Sequence, residues 1–577
     1  MIKDLQSFIN ILRDEKEVLD ISCEVNPYLE AAEIHRRVIS EGGPALLFKN
    51  IKGSPFPLIT NLFGSKKRIE MAFGKRPLEF ISAIAKLPET LMPPNLKNLW
   101  HNRAILKDLL KVGLKNSASG IVKQNILKGG ALEELPLLTT WREDGGPFIT
   151  LPLVYTQHPE NNSHNLGMYR MQRYSQGELG LHCQIGKGGG FHLAAAKELK
   201  KKLPVNVFIG GPPALILSAI APLPENVPEL MLASLIQGSK LQLCNNPSGP
   251  LPLIANAEFA ISGECDPNEM RPEGPFGDHY GYYSLKHDYP VFRCNAIYHR
   301  NNPVFCATVV GKPRQEDFFL GDYLQDLLSP LFPVVMPAVL DLWSYGETGY
   351  HSLACAVVMQ RYKREAMASA FRILGEGQLS LTKFLLLIDK KIDIRNFQQV
   401  LPHILARCDF RTDLYVFSNL SMDTLDYTGP AVNEGSKGVL LGVGEPIRNL
   451  PQDYQGNRPS AVNSIRVFCA GCLVVDGASY QEQPNLGKTV SELPEFDNWP
   501  LIILVDNAEK AALSSMSFLW TTFTRFEPGA DIIARGKEIQ RNHISYTPPI
   551  VIDARMKPNY PDELECDDDT KNLVASR

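Results

Sequence analysis

The sequence lacks an excess of charge of either sign and a long apolar run without breaks. Its 577 residues carry 59 basic and 63 acidic side chains, well mixed along the chain, for a formal net charge of −4. This balance gives no indication of a nucleic-acid-binding face. The most apolar stretch, 203–224, is divided by Gly-Gly-Pro-Pro at 210–213 into a short strand and a short helix. Neither part is long enough to cross a bilayer.

Cysteine is sparse and irregularly spaced, with eleven in the chain, which argues against a disulfide framework and favours a reducing cytoplasm. Cys469 and Cys472 form a lone CxxC inside the apolar run VFCAGCLVV. No second pair or adjacent histidine accompanies it, so we expect buried thiols. The N-terminal 21 residues have acidic residues within their apolar stretch, which predicts an amphipathic helix and not a signal peptide.

The length and the changing pattern predict a multidomain α+β and α/β protein. An N-terminal αβ region is expected over 1–115, a β-rich central domain over 116–318, and an α/β domain with an extension over 319–577. The central spacing of short strands favours a small antiparallel barrel or sheet with inserted helices.

Three local features give further expectations. The apolar runs on either side of Asn301-Asn302 are predicted to pair as a hairpin. A helix near 393–408 is predicted to be capped by Asp393. The acidic segment 565–577 is predicted to be a loose tail.

The stretch RPEGPFGDHYGYYS, residues 271–284, holds two carboxylates in a turn rich in glycine and proline. Turn geometry allows Glu273 and Asp278 to face one pocket. Two close carboxylates do not both ionise cheaply, so one pKa is expected to rise and give a proton donor, while a nearby arginine keeps the partner ionised. The alternative is an ordinary turn whose acids are solvated or cap backbone N–H groups.

Three other short segments carry candidate ligands. HNLGMYRMQ (164–172) holds Asn165 and Arg170, which could line a cavity, although a lone arginine is more often in a surface ion pair. GKGGGFH (186–192) places Lys187 among glycines, where backbone N–H groups could meet phosphate, although a mobile turn is as consistent. NEGSKG (433–438) places Lys437 after a glycine-serine turn, which alone is weak support for an anion site.

Together these segments resemble one family. NLGMYR at 165–170 and PEGPFGDHYGYY at 272–283, supported by TTWREDGGPFIT at 139–150, are similar to the UbiD-type decarboxylases, which use prenylated FMN. The similarity runs from residue 4 to about 446. The resemblance implies a flavin-reductase-like split β-barrel in the central domain. It also implies loss of CO₂ from an unsaturated or aromatic acid through a covalent adduct with the cofactor.

The resemblance assigns roles to residues at matching positions. Arg170, Glu273 and Asp278 match the catalytic trio, with Asp278 as proton donor. Asn165 and Glu229 match two ligands of a divalent ion, Mn²⁺ or similar, that holds the cofactor phosphate. The remaining matches are Lys437 for the phosphate, and the carbonyls of Ser218, Ala219 and Ala221 for a nearby K⁺.

One position departs from the family. The histidine expected as third metal ligand falls at Gly186. His182 lies four residues earlier, roughly 13 Å away at strand rise, too far to substitute directly. A water or another side chain then completes the metal shell, or metal affinity is reduced.

Two quinone pathways use such enzymes, one acting on 4-hydroxy-3-polyprenylbenzoate and one, the futalosine route to menaquinone, on a dihydroxynaphthoate. The C-terminal stretches 517–532 and 547–565 resemble the menaquinone branch, which we favour. The alternatives are a flavin-binding or assembly component without turnover, to which Gly186 points, and a glycoside hydrolase, which accounts for neither Arg170 nor Lys437. The resemblance further implies a flavin prenyltransferase as cofactor supplier and association of copies through 319–577. Peripheral membrane contact, to meet a lipid-like substrate, stays open at this point.

Overall fold

The computed structural model describes residues 2–92, 95–128, 131–183, 188–223, 227–312 and 314–577. These form two compact units. The first unit comprises Met1–Leu327 with Asp562–Arg577, and the second comprises Leu328–Pro561. The predicted domain boundaries near 115 and 318 stay predictions.

The first unit contains most of the strands. Its first helix shows why the N-terminus folds as predicted: the Asp4 carboxylate accepts a hydrogen bond from the N–H of Ser7, and one face buries Leu5, Phe8 and Leu12. The helices are α1 (Leu5–Asp14), α2 (Glu30–Ser40), α3 (Lys66–Phe73), α4 (Arg76–Ala85), α5 (Leu87–Leu91), α6 (Leu96–His101), α7 (Arg103–Leu109), α8 (Gly188–Glu198), α9 (Pro213–Ala219), α10 (Glu229–Gln237) and α11 (Glu316–Leu328). The strands are β1 (Val18–Val25), β2 (Ala45–Ile51), β3 (Leu58–Thr60), β4 (Leu114–Ser117), β5 (Asn125–Lys128), β6 (Phe148–Ile149), β7 (Leu153–Gln157), β8 (His164–Gly167), β9 (Met171–Arg173), β10 (Glu178–Leu181), β11 (Leu203–Ile209), β12 (Leu241–Cys244), β13 (Leu253–Ile254), β14 (Phe259–Glu273), β15 (His287–His299) and β16 (Phe305–Cys306).

Three sheets organise this unit. The largest has nine strands in the order β6-β9-β10-β15-β14-β11-β7-β8, with β5 also paired to β15; the others run β1-β2-β3-β16 and β13-β12-β4. Among the described residues no strand closes the large sheet into a barrel, and the predicted mixed multidomain class is confirmed. The long antiparallel pair β14 and β15 brings Glu273, the last residue of β14, opposite His287.

The second unit contains two five-stranded sheets, ordered β17-β18-β19-β21-β20 and β22-β23-β24-β26-β25. Its helices are α12 (Phe332–Val335), α13 (Glu365–Leu374), α14 (Phe397–Arg407), α15 (Phe410–Asp413), α16 (Leu486–Glu492), α17 (Ala508–Ala512), α18 (Ser515–Arg525) and α19 (Pro528–Asp531). Its strands are β17 (Val339–Ser344), β18 (Leu353–Val358), β19 (Phe384–Ile388), β20 (Leu414–Ser421), β21 (Glu434–Gly442), β22 (Ser464–Cys469), β23 (Cys472–Asp476), β24 (Leu501–Val505), β25 (Ile532–Gln540) and β26 (His543–Asp553).

The predicted hairpin and the predicted helix cap both fail, because interactions beyond the local pattern decide these segments. The predicted hairpin across Asn301-Asn302 is wrong, because β16 does not pair with β15 of the large sheet. It pairs in parallel with β3, with Phe305 opposite Leu58. The cap at Asp393 is also wrong, because its carboxylate accepts from the N–H of Arg395 and the helix begins later, at Phe397.

The loose C-terminal tail is the third local expectation, and it is wrong too. Residues Asp568–Ala575 form α20, which begins at Asp567, whose carboxylate accepts from the N–H of Thr570 at 3.0 Å. The Arg37 guanidinium, on α2, donates to the carbonyl of Lys571. The negative charges at the start of α20 stabilise the positive end of the helix dipole. The prediction of a loose tail treated these charges only as an acidic run. Among the described residues, no helix has the length and apolarity needed to cross a membrane.

Candidate active site

Arg170 lies directly before β9 and is buried against the end of β14. Its Nε donates to Glu273 Oε1 at 2.8 Å, and its Nη2 donates to Glu273 Oε2 at 3.1 Å. The pair is bidentate, the arrangement in which guanidinium and carboxylate geometries match best. Arg170 is therefore not the surface ion pair that a lone arginine usually forms.

The same guanidinium reaches the rest of the glycine-rich turn. Its Nη1 donates to Asp278 Oδ2, and its Nη2 donates to Ser284 Oγ at 2.9 Å. The ring of Phe276 lies under it, 4.7 Å from the guanidinium carbon. Within the part of the chain that the structure describes, four of the five N–H groups of Arg170 donate to Glu273, Asp278 and Ser284. The structure brings together all three predicted trio members.

The raised carboxyl pKa expected for this pair of acids is wrong in this structure. Burial opposes ionisation of Glu273, but the positive charge of Arg170 and hydrogen bonds from His182 and Arg170 lower its pKa to about 2. Burial also opposes ionisation of Asp278, and again Arg170, together with His279, holds the pKa well below its usual range. The cation lies between the two acids and favours ionisation of both, which spacing in the sequence could not show.

Two histidines in contact with the trio were not assigned from sequence. His182 Nδ1 lies 3.0 Å from Glu273 Oε2, and its ring is 4.2 Å from that of Tyr289. His279 Nδ1 lies 2.6 Å from Asp278 Oδ1. Burial, followed by the charge of Arg170, lowers the pKa of His182. Pairing of β10 and β14 through β15 explains why His182, just past β10, meets Glu273 across 91 residues.

A third acid lies near the turn without belonging to it. Asp317, on the first turn of α11, is half-buried, and burial raises its pKa to about 6, with His279 opposing and Asp278 reinforcing the shift. No motif marks this residue in the sequence. It gives the site a carboxyl group that holds its proton closer to neutrality than either trio acid does.

Asp144 fastens the turn to a second segment of the chain. Its Oδ1 accepts from the N–H of Gly277 at 2.8 Å, while its Oδ2 accepts from the N–H groups of Thr140 and Trp141 and from the hydroxyl of Thr140. The block TTWREDGGPFIT therefore acts as a clamp on the acid-bearing turn. Gln172 adds a second clamp, accepting from the N–H of Gly274 at 2.8 Å.

The two predicted ligands of the divalent ion are brought near each other. Glu229 Oε2 accepts from the N–H of Leu166 at 3.0 Å, the residue directly after Asn165. Gly188, at the start of α8, approaches Asn165 so closely that a Cβ on it would lie 2.1 Å from Asn165 Oδ1. Burial raises the pKa of Glu229. A bound cation would act in the opposite direction, because it stabilises the ionised carboxylate. Gly186 and Lys187 lie outside the described residues, as does any third ligand there.

The three carbonyls predicted for K⁺ lie at the C-terminal end of α9. Ser218 and Ala219 are its last two residues, and the N–H of Ala221 donates back to the carbonyl of Ser218 at 3.2 Å. Carbonyls at a helix C-terminus carry partial negative charge, which suits a cation. Among the described residues, no group of three or more His, Cys, Asp or Glu side chains forms a metal site.

Lys437 lies on β21 in the second unit and is buried. Its Nζ donates to the carbonyl of Thr382 at 3.0 Å. Burial lowers its pKa to about 8, although Asp426 and Asp423 oppose the shift. Among the described residues, the recorded hydrogen-bond partner of Lys437 is this neutral carbonyl, so its ammonium can also bind an anion. Cys469 and Cys472 face each other across the β22–β23 turn as free thiols; Cys472 is buried, as expected for this CxxC, whereas Cys469 is partly exposed.

Comparison with known proteins gives the family. Three family models match: the N-terminal domain (residues 9–87), the Rift-related domain (114–313) and the C-terminal domain (318–442) of 3-octaprenyl-4-hydroxybenzoate carboxy-lyase. The chain belongs to the UbiD family. It is a carboxy-lyase of the UbiD type, and the predicted family and enzyme class are both confirmed.

Individual relatives differ in how much of the chain they match. A protein of Chlamydia pneumoniae, named as a subunit of 4-hydroxybenzoate decarboxylase, is 49% identical over 573 residues, covering 99% of this chain and 97% of its own. The closed form of vanillic acid decarboxylase from Sedimentibacter hydroxybenzoicus has a TM-score of 0.69 at 24% identity, covering 80% of this chain and 96% of its own. The UbiD-class enzyme HmfF from Pelotomaculum thermopropionicum, solved with FMN, has a TM-score of 0.63 at 22% identity, covering 79% of this chain and 97% of its own. These likenesses confirm the UbiD-class fold.

Proposed function

We propose that the chain decarboxylates an aromatic acid of quinone biosynthesis with the help of prenylated FMN, releasing CO₂ and placing a proton on the carbon that lost it. The observation that carries this proposal is the cluster of Arg170, Glu273 and Asp278, buried and in direct contact. The same three residues match the trio of the family, whose members lose CO₂ from carboxylic acids.

Arg170 orients the substrate. Glu273 fixes the guanidinium from one side through two hydrogen bonds, so its direction is set before the acid binds. The substrate carboxylate competes with Asp278 for Nη1 of Arg170. Displaced from the cation, Asp278 loses the interaction that keeps its pKa low.

Asp278 then serves as the acid that protonates carbon. Its burial favours the protonated form once Arg170 is engaged by the substrate. His279, hydrogen-bonded to the other carboxylate oxygen, is placed to pass a proton to it. Asp278 therefore has a low pKa in the ligand-free structure and acts as a proton donor once the substrate has bound Arg170.

The predicted cofactors fit the residues present. Prenylated FMN, when bound, supplies the electron sink that makes loss of CO₂ feasible. Lys437 would meet its phosphate as a buried ammonium. Asn165 and Glu229 offer amide and carboxylate oxygens, the donors preferred by Mn²⁺ and similar hard divalent ions. The carbonyls of Ser218, Ala219 and Ala221 would hold K⁺.

For the substrate we favour a dihydroxynaphthoate of the futalosine menaquinone pathway, because the segments 517–532 and 547–565 resemble that branch of the family. A simpler hydroxybenzoate is the second candidate, supported by the name of the Chlamydia pneumoniae relative. The prenylated benzoate of ubiquinone synthesis is the third. A flavin-binding component without turnover remains the alternative of another class, and the intact trio weighs against it.

The experiment is a substrate panel. The protein is coexpressed with a flavin prenyltransferase, its flavin spectrum recorded, and CO₂ release measured with dihydroxynaphthoate, 4-hydroxybenzoate and a prenylated hydroxybenzoate. We expect turnover with the naphthoate and, for Asp278→Asn, a rate lower by about 10²- to 10⁴-fold. Bound flavin with no CO₂ from any acid would support the non-catalytic alternative.

Metal binding is tested by a readout other than activity. Elemental analysis of purified protein is expected to give about one Mn²⁺ or similar ion per chain, and Glu229→Gln to lose it. We further propose a cytoplasmic enzyme that associates with copies of itself. Cell fractionation tests the location and light scattering tests the association. We also propose domains at 1–115, 116–318 and 319–577.

A further inference from the structure

The two sheets of the second unit have the same topology. In the first, β17 pairs antiparallel with β18, β18 and β19 are parallel, β19 and β21 are parallel, and β20 pairs antiparallel with β21. In the second sheet, β22 to β26 repeat this order and these directions strand for strand. No internal repeat is visible in the sequence.

The equivalence extends to single residues. In the first sheet the N–H of Phe384 donates to the carbonyl of Ser352, and in the second the N–H of Leu501 donates to that of Gly471. Each donor is the first residue of the central strand of its sheet, β19 or β24. Each acceptor is the residue directly before the neighbouring strand, β18 or β23. The N–H of Gly438 likewise donates to the carbonyl of Lys383 at 2.8 Å, as that of Ile550 donates to Pro500 at 3.0 Å.

The two sheets also bury equivalent faces. Here the inner face of a sheet is the one that packs in a hydrophobic core shared by both sheets, and the outer face packs in a core that holds residues of that sheet's half. In each sheet the first crossover helix, α13 or α16, covers the outer face. The second crossover helix, α14 in one and α18 in the other, lies on the inner face. The central strands alternate in the same phase, with Leu386 and Ile503 inward and Leu387 and Leu504 outward.

The inner faces share one hydrophobic core, in which residues of both sheets and their inner helices pack together. Phe397 of α14 is at its centre. Its ring lies 6.0 Å from Phe518, 6.0 Å from Phe523 and 6.4 Å from Phe468, all in the second sheet's half. Without that half, these aromatic and aliphatic side chains would form an exposed apolar face.

The second half does not repeat the charged residues of the first. By the hydrogen-bond equivalence above, Lys383 corresponds to Pro500 and Lys437 to Pro549. Lys383 Nζ forms a buried salt bridge with Asp426 at 2.7 Å. The second half therefore keeps the packing of the first but carries proline at both positions where the first half has lysine.

We infer that residues 464–553 are a second copy of the fold of residues 339–442, which covers the inner face of the first copy as an intrachain partner. Two like domains joined through equivalent faces form the same kind of contact as an isologous dimer. The covering partner is thus supplied within the chain instead of by another subunit. The solved relatives compared above match only 79–80% of this chain over nearly their whole length, and the matched C-terminal family model ends at residue 442.

The test cuts the chain on both sides of the second copy. Protease recognition sequences are inserted in the full-length protein at Gly456–Asn457 and at Pro558–Asn559, where the chain is exposed. After cleavage, the piece 457–558 is held only by non-covalent contacts. We expect it to coelute with the rest of the chain in size exclusion and to appear as a 1:1 complex in native mass spectrometry. Elution of the piece by itself without denaturant would overturn the inference.

Phe397→Ala shows whether the shared core is what holds the piece. We expect release at a lower urea concentration than in the parent protein. Phe371→Ala is the matched control, because Phe371 lies on α13 with 60% of its surface exposed. Equal release midpoints for the two variants would contradict the inference. If Phe397→Ala is not recovered folded, Phe397→Leu replaces it, with the same order expected.

Discussion

Glu273 accepts two parallel hydrogen bonds from Arg170, from Nε to Oε1 at 2.8 Å and from Nη2 to Oε2 at 3.1 Å, and its side chain is fully buried. Glu273→Gln removes one partner of a buried ion pair, so we expect the free energy of unfolding at pH 7 to fall by about 3 kcal/mol or more. Urea unfolding followed by circular dichroism measures this. The orienting contact to Arg170 is weakened as well, so turnover should fall with it.

The sign of the pH dependence follows from the lowered pKa. The folded pKa of Glu273 is about 2 against an ordinary 4.5, so its contribution is fully present above 4.5 and is lost as pH falls from 4.5 towards 2. The variant should lose this part of the acid sensitivity. Glu264→Gln, on the same strand with a partly exposed lysine partner, is the control and should change stability by less than about 1 kcal/mol. Equal losses in both variants would contradict the role of the buried pair.

Asp278→Asn keeps the size of the side chain and removes its acid. We expect kcat for CO₂ release to fall by about 10²- to 10⁴-fold, the range typical of a lost general acid, with flavin binding retained. The measurement is CO₂ release together with the flavin absorbance of the purified variant. Asp266→Asn, in the same sheet and away from Arg170, serves as control. Full activity of Asp278→Asn would end the donor assignment.

Asp144→Asn tests the clamp on the acid-bearing turn. The Asp144 carboxylate accepts from the N–H of Gly277 and from three groups of Thr140 and Trp141, and an amide cannot accept at both ends. We expect a loss of about 1–3 kcal/mol in the free energy of unfolding, from a buried donor left unsatisfied. Turnover should fall because Gly277 directly precedes Asp278. Unchanged stability and turnover would show that the turn holds its shape without this clamp.

The multidomain class was predicted from a local signal, the change from a β-rich to a strand-helix pattern. The trio was predicted from the resemblance to the UbiD family, because the turn rich in glycine and proline alone left an ordinary turn as an alternative. The sequence could not predict that Arg170 lies between the two acids, because that depends on how β9 and β14 meet in the sheet. His182 reaches Glu273 only through strand pairing, and nothing in its neighbours marks it. The repeated sheet topology could not be predicted from the sequence either, because equivalent backbone positions carry unlike residues, such as Lys437 and Pro549.

Lys437 gives a prediction about cofactor binding and pH. Burial lowers its pKa to about 8 from an ordinary 10.5, so the folded, ligand-free protein carries the ammonium at pH 7 and loses it as pH rises through 8. If this ammonium binds the flavin phosphate, FMN affinity should fall over the same range. Titration of the apoprotein by FMN fluorescence quenching at pH 7, 8 and 9 measures this.

Lys437→Gln should raise the Kd for FMN at pH 7 by about tenfold or more, the loss of one hydrogen bond to a charged group, and should abolish the decline in affinity around pH 8. Lys390→Gln, a half-exposed lysine of the same unit paired with Glu445, controls for the general effect of charge and should leave the pH profile unchanged. Riboflavin, which lacks the phosphate, should bind Lys437→Gln and the parent protein alike. A pH profile that survives in Lys437→Gln would place the titrating group elsewhere, because the amide cannot ionise.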